Sequence, residues 1–195
     1  MTPSILKEMV RGRLSWETLL TFPAQPAAQA RAGSVAIRSL DSLLAAHTDG
    51  FGPGGEGPPS RALVHKLADA GFLAMRLPRD QGGMGLSEYD GFRVLEAAAA
   101  RSPVVSMLLS AHNGLGPVAY LPALPPGELR DLLVKHLTIG SLGALASTEP
   151  EGAANTGRST IARPAEDGSG YHLCGEKVFI TNGTMAGLLA VTATI

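Results

Sequence analysis

The residues most able to do chemistry lie between Ala144 and Gly183, in ALASTEPEGAANTGRSTIARPAEDGSGYHLCGEKVFITNG. Two hydroxyls, Ser147 and Thr148, precede Glu149 and a run of small residues, Pro-Glu-Gly-Ala-Ala-Asn-Thr-Gly, at 150–157. Such a run packs no core and suits a backbone that must approach a ligand closely. Further on, Phe179-Ile180-Thr181 sets an aromatic face, an aliphatic and a hydroxyl side by side before Asn182-Gly183, a strong turn pair. This is chemistry of binding and orientation rather than of bond cleavage. Glu149 and Glu176, taken by themselves, read as solvated or hydrogen-bonded carboxylates. The five histidines lie without metal-ligand spacing, and Cys174 is the single cysteine, so neither a thiolate metal cluster nor an intrachain disulfide is expected.

Strands must position these groups. Gly143–Ala146 reads as a short apolar lead-in strand. Thr160–Arg163 and Tyr171–Leu173 read as a hairpin joined by the polar run Pro164–Gly170. Lys177–Thr181 reads as a third strand, and Leu188–Ile195, rich in β-branched residues, as a buried one. Because the sequence stops inside that strand, a fragment or truncated gene product is expected.

The order of motifs carries a resemblance. Thr148-Glu149-Pro150, Gly175-Glu176-Lys177 and Phe179-Ile180-Thr181-Asn182-Gly183 follow one another as at the start of the β-domain of the acyl-CoA dehydrogenase family, at about its spacing. Upstream, Leu77-Pro78, Gly82-Gly83-Met84-Gly85-Leu86-Ser87, His112-Asn113 and Tyr120-Leu121-Pro122 extend the likeness to about Ala62. The resemblance implies a flavoprotein that removes a proton α to an acyl-CoA thioester carbonyl and passes the β-hydrogen as hydride to FAD, the cofactor supplying the redox step. It further implies an electron-transfer flavoprotein or similar acceptor, and a homo-oligomeric parent.

Position by position, the resemblance makes Thr148 the residue whose backbone and hydroxyl face the pyrimidine end of the flavin, with Ala146 and Ser147 adding backbone contacts. On its own, Thr148 would read as a strand-end hydroxyl satisfying its own backbone. Phe179 stands where most of the family has tryptophan, keeping a stacking face and losing an indole donor. Ile180 lies beside it, and Thr181 matches the hydroxyl that bonds the hydride-accepting ring nitrogen. The loop departs from the family: Ala154 replaces a serine that reaches a phosphate, leaving backbone amides, Asn155 or Thr156 to make that contact, and Ala154 and Asn155 are the substrate-side candidates. The family's catalytic glutamate belongs to a region beyond Ile195, so no catalytic residue is assigned here and the chain alone is expected to be inactive. A flavin-dependent monooxygenase or oxidase of the same fold, and a non-catalytic interaction module, are the alternatives.

The remaining chain fits an α+β fold, an all-helical domain followed by the first strands of an antiparallel β-barrel-like domain. The expected divisions are an extension and Gly/Pro-rich linker at 1–59, a helical domain at 60–142 and an incomplete β-domain at 143–195. Leu6, Val10 and Leu14 suggest a short helix ended by Pro23, and Ala27–Ala46 a longer surface helix with Val35, Leu40, Leu43 and Leu44 near helical spacing. The run from Gly50 to Pro59 breaks regular structure; its Gly52–Gly57 letters match a dinucleotide fingerprint but lack the strand before and helix after that give the fingerprint meaning. Ser60 should cap a helix over Arg61–Ala70 that Gly71 ends, and Ser87 with Asp90 a helix over Glu88–Arg101 with Phe92, Leu95 and Ala99 as its buried stripe. Val104–Leu121 reads as one central helix with Met107 as core filler, and Gly127–Leu137 as another carrying Leu129, Leu132 and Leu133.

With 16 basic and 17 acidic residues among 195, the net charge of -1 leaves no electrostatic footprint for nucleic acid or an anionic membrane. No run approaches the ~18 apolar residues of a membrane span, and charges interrupt the N-terminus before a signal-peptide core forms. A cytoplasmic location is the expectation.

Overall fold

The computed structural model describes residues 5–13, 16–20, 24–51, 57–152 and 158–195. Helices come first: α1 (Ile5–Val10), α2 (Trp16–Leu20), α3 (Ala27–Ala46), α4 (Arg61–Asp69), α5 (Glu88–Arg101), α6 (Pro103–Ser110), α7 (Pro117–Tyr120) and α8 (Glu128–Thr138). Four short strands follow, β1 (Gly143–Ala146), β2 (Ile161–Pro164), β3 (Tyr171–Cys174) and β4 (Leu188–Val191). The strands make two separate pairs, β1 with β4 parallel and β2 with β3 antiparallel, so the sheet is not closed. Leu14, Phe22, Pro23 and most of the Gly52–Gly57 fingerprint letters lie outside the described residues. Among the described residues no helix is long and apolar enough to cross a membrane.

The helix starts follow the sequence. Ser60 Oγ accepts from Leu63 N at the head of α4, Ser87 Oγ from Asp90 N at the head of α5, and Ser102 Oγ from Val105 N at the head of α6, each satisfying an amide that helical geometry leaves free. Gly71 ends α4 in the left-handed conformation. The segment expected to break all structure is instead built in at its start: Thr48–Phe51 forms a 3₁₀ turn, Phe51 is buried, and Gly50 O accepts from Ser60 N at 2.6 Å.

Packing departs from the apolar count in several places. The inward face of α5 is Asp90, Gly91, Val94 and Ala98, whereas Phe92 is 65% exposed, Ala99 is exposed and Leu95 only partly buried. The cause is a polar anchor. Asp90 is fully buried, accepting from Ser87 Oγ at 2.7 Å, Gln25 Nε2 at 2.5 Å and Arg93 Nη1 at 3.2 Å, and it faces Gly33 of α3 so closely that a Cβ there would fall 2.0 Å from its Oδ1. On α3 the buried face is Gly33, Ala36, Leu40 and Leu44, with Val35 outside it. The single helix expected over 104–121 is three pieces: α6, a π-helical turn at Ala111–Leu115, and α7, which starts afresh at Pro117 because proline carries no amide to continue the ladder. Met107 is 59% exposed rather than core filler, since α6 turns Val105, Leu108 and Leu109 inward.

One imidazole joins the helical half to the strands. His112 is wholly buried in the π-helical turn; its Nδ1 accepts from Gly143 N at 2.7 Å, so Nε2 carries the proton and donates to Leu73 O. Gly143 is held so tightly that a Cβ would meet Pro117 Cδ at 2.6 Å. Burial pushes the His112 pKa down from 6.5 to about 4, partly opposed by the bond to Leu73, so the ring is neutral when folded. Because the unfolded chain binds the proton first, this contribution is complete above pH 6.5 and is lost as pH falls toward 4, about 3 kcal/mol in all. The melting temperature is therefore expected to drop between pH 6.5 and 4 in the wild type. His112→Phe should flatten that arm while costing about 2–4 kcal/mol at neutral pH, since Leu73 O and Gly143 N lose their partner. A wild-type melting temperature constant across that range would overturn the assignment.

Candidate functional site

The β1 strand ends at Ala146, and its continuation, Ser147 and Thr148, emerges half-buried. Against it lies the segment 177–183, which is not the expected strand: it has no ladder, and Phe179 holds a left-handed φ of 56°. The segment is pinned at both ends instead. Val178 N donates to Thr148 O at 2.9 Å, and Asn182 Nδ2 donates to Gly143 O at 3.2 Å and Leu108 O at 3.0 Å. Thr181 to Met185 then turns, with Asn182 also left-handed at φ 68°, as the Asn-Gly pair suggests.

The two groups of predicted ring-binding residues are thereby brought together. Ala146, Ser147 and Thr148 run along one line, and Phe179, Ile180 and Thr181 lie between the two anchors that tie their segment to it. Ala146 is buried, Ser147, Thr148 and Ile180 are half-buried, Thr181 is exposed and Phe179 is 92% exposed. A left-handed, solvent-facing aromatic residue is costly twice over, and such conformations cluster at ligand sites. The substrate-side candidates Ala154 and Asn155 lie outside the described residues. None of the six strip residues lines the large apolar cleft of about 530 Å³ between α7, α8, β1 and β4, which is walled by Leu129, Leu132, Leu145, Leu189 and Val191. The strand expected to be buried there exposes alternate residues, Leu189 and Val191, and ends at Val191; Thr194 adds an isolated parallel bridge to Ile161.

The residue that sequence reasoning missed is Lys177. Its ammonium donates to Glu149 Oε1 at 2.7 Å, Ser147 O at 3.3 Å and Thr192 Oγ1 at 3.4 Å, with both charged side chains nearly inaccessible. Glu149 accepts further bonds from Thr160 N at 3.0 Å and from Ser159 N and Oγ at 2.7 and 3.1 Å. One carboxylate thus gathers the end of β1, the approach to β2 and the segment bearing Phe179. Lys177 first, then the donors of Thr160 and Ser159, hold the Glu149 carboxyl well below the usual carboxylate range. The signal was present as an acid and a base, Glu149 and Lys177, one in each of the two motifs Thr148-Glu149-Pro150 and Gly175-Glu176-Lys177. The pair's contribution is present above pH 4.5, the ordinary glutamate value, and is lost as pH falls below it. Lys177→Met strands a carboxylate among its remaining donors. It should therefore lower the melting temperature further than the double variant Glu149→Gln/Lys177→Met, in which no charge is left unpaired; equal losses would show that the pair does not act as a unit.

Comparison with known proteins agrees with this architecture. Residues 41–122 match the model of the acyl-CoA dehydrogenase N-terminal domain. The probable acyl-CoA dehydrogenase FadE10 of Mycobacterium tuberculosis is 28% identical over 195 residues, which cover 99% of this chain and 30% of FadE10. Among solved structures, PigA with FAD and proline superposes with a TM-score of 0.70 at 27% identity, covering 89% of this chain and 45% of PigA. Butyryl-CoA dehydrogenase from Megasphaera elsdenii shares the fold with a TM-score of 0.70 at 24% identity, over 89% and 45% of the two chains. The chain therefore spans less than half the length of each of these proteins. The domain model that matches its helices, and the proteins it aligns with along nearly its whole length, are those of acyl-CoA dehydrogenases.

Proposed function

We propose that this chain supplies the flavin-facing strip of an FAD-dependent acyl-CoA dehydrogenase, in which Ala146–Thr148 meet the pyrimidine end of the ring and Phe179–Thr181 its face and central nitrogen. The observation that carries this reading is the joining of the two groups by Thr148 O and Val178 N, with Asn182 closing the far end. FAD, when bound, supplies the two-electron acceptor for α,β-dehydrogenation of an acyl-CoA thioester.

The residues present fit the ring end of such a cofactor. Ser147 and Thr148 offer hydroxyls and backbone amides at a strand terminus, where donors favour negative charge on a reduced ring. Phe179 holds an aromatic face in the open, positioned by its backbone rather than by packing, which leaves the face free to stack. Thr181 offers an exposed hydroxyl within the same pinned segment. Glu149 has no role in proton abstraction, because its charge is committed to Lys177 and to backbone amides. On this reading the proton-abstracting base and the region that fixes acyl chain length lie outside residues 1–195. A substrate other than a thioester is the competing reading within the fold, and it has a specific support: the PigA structure is named with proline.

Titrating the purified chain with FAD and following flavin fluorescence is expected to show saturable binding, weakened about tenfold by Phe179→Ala, the value of one aromatic contact. Unchanged affinity in that variant, or no binding by the wild type, would sink the strip assignment. The same protein should not reduce an artificial acceptor with butyryl-CoA above background; turnover would place the base within this chain.

A further inference from the structure

The chain leaving β4 changes partners, and Thr192 stands where it does so. Through Val191 the strand pairs with β1, Val191 opposite Ala146. Beyond it, Thr194 bridges Ile161 of β2, and the Thr194 amide donates to Thr160 O at 2.9 Å. Between the two, Thr192 N donates to Ala146 O at 3.1 Å, the last backbone bond from this segment to β1 among the described residues. Ser147 and Thr148 lie past that rung, so the ladder that fixes β1 does not reach them.

A side chain continues where the ladder stops. Thr192 Oγ1 lies 3.3 Å from Ser147 Oγ and 3.4 Å from the Lys177 ammonium. Elementary chemistry fixes the direction of both bonds. An ammonium donates and never accepts, so Thr192 Oγ1 accepts from Lys177 and its own proton goes to Ser147. The other two ammonium protons go to Glu149 Oε1 and Ser147 O. Ser147 is thus held twice, at its carbonyl by Lys177 directly and at its hydroxyl by Lys177 through Thr192. Thr192 itself is half-buried and belongs to none of the motifs that mark the site in the sequence.

We propose that Thr192 is a positioning residue for the flavin-facing strip, its hydroxyl relaying the hold of Lys177 to Ser147 and so fixing the strip's first half. The assignment rests on the flavin reading of that strip; Thr192 acts through Ser147 and touches no part of the ring. Valine at this position keeps the outline of threonine and ends both bonds, whereas serine keeps the hydroxyl and loses the methyl. A space-filling role and a positioning role therefore predict opposite orders for the two variants.

Two measurements on the purified chain separate them. Without cofactor, hydrogen exchange at the Val178 amide, which donates to Thr148 O, reports how firmly the strip is held. Thr192→Val should speed that exchange at least about threefold, and Thr192→Ser should leave it near the wild-type rate. With FAD, Thr192→Val should weaken binding at least about threefold and change the visible absorption of the bound flavin, and Thr192→Ser should restore both. Ser147→Ala cuts the same link from its other end, so adding it to Thr192→Val should cost little more. Saturable wild-type binding with an unchanged Thr192→Val, a serine variant worse than the valine one, or additive losses in the double variant would each overturn the assignment of Thr192 alone. Absence of wild-type binding would instead overturn the flavin reading, and this assignment with it.

Discussion

An uncharged imidazole holds the two halves of this protein in register. His112 cannot carry two protons and still accept from Gly143, so the fold depends on keeping it neutral, and burial does so. The glycine it binds is the hub: its amide goes to His112, its carbonyl takes Asn182, and its missing side chain admits Pro117. From that point β1 runs out to Ser147 and Thr148, and the segment bearing Phe179 returns alongside it. The geometry of the candidate site is therefore set by a contact at the opposite end of the strand.

At the near end the control is ionic. Glu149 and Lys177 lie where water scarcely reaches, and the carboxylate is surrounded by donors from the approach to β2 as well as by the ammonium. A buried pair of this kind contributes less net stability than its Coulomb attraction suggests, because desolvation offsets much of it. Its value here is geometric, since a strip that is exposed or half-buried everywhere but at Ala146 has little apolar packing of its own to fix it. Lys177 touching both Ser147 O and Glu149 ties the returning segment to the strand end.

Much of this was legible in the sequence, and the failures have causes. Serine caps at 60 and 87, the limits of α3 and β1, and the 164–170 hairpin turn were readable because local chemistry decides them. The stripe on α5 was misread by counting apolar residues: a buried aspartate facing a glycine turned the helix so that Gly91 and Ala98 face inward and Phe92 outward. Phe179 was misread for a related reason. An aromatic between a β-branched and an aliphatic residue looks like strand, and only the tertiary anchors at Val178 and Asn182 impose a backbone that strands forbid. The membership of Ser147, Thr148 and Thr181 in one strip came from motif order and not from periodicity.

Asn182 gives this arrangement a built-in lifetime. Both its bonds to the fold are donated by one carboxamide nitrogen, to Leu108 O and Gly143 O, and its neighbour is Gly183. Asparagine is among the thermolabile side chains, and its hydrolysis, in which water adds and ammonia leaves, would put a carboxylate before two carbonyl oxygens. Attraction would become repulsion at the hub. Chemical ageing of a single amide would thus remove both bonds by which Asn182 ties the Phe179 segment to Leu108 and Gly143.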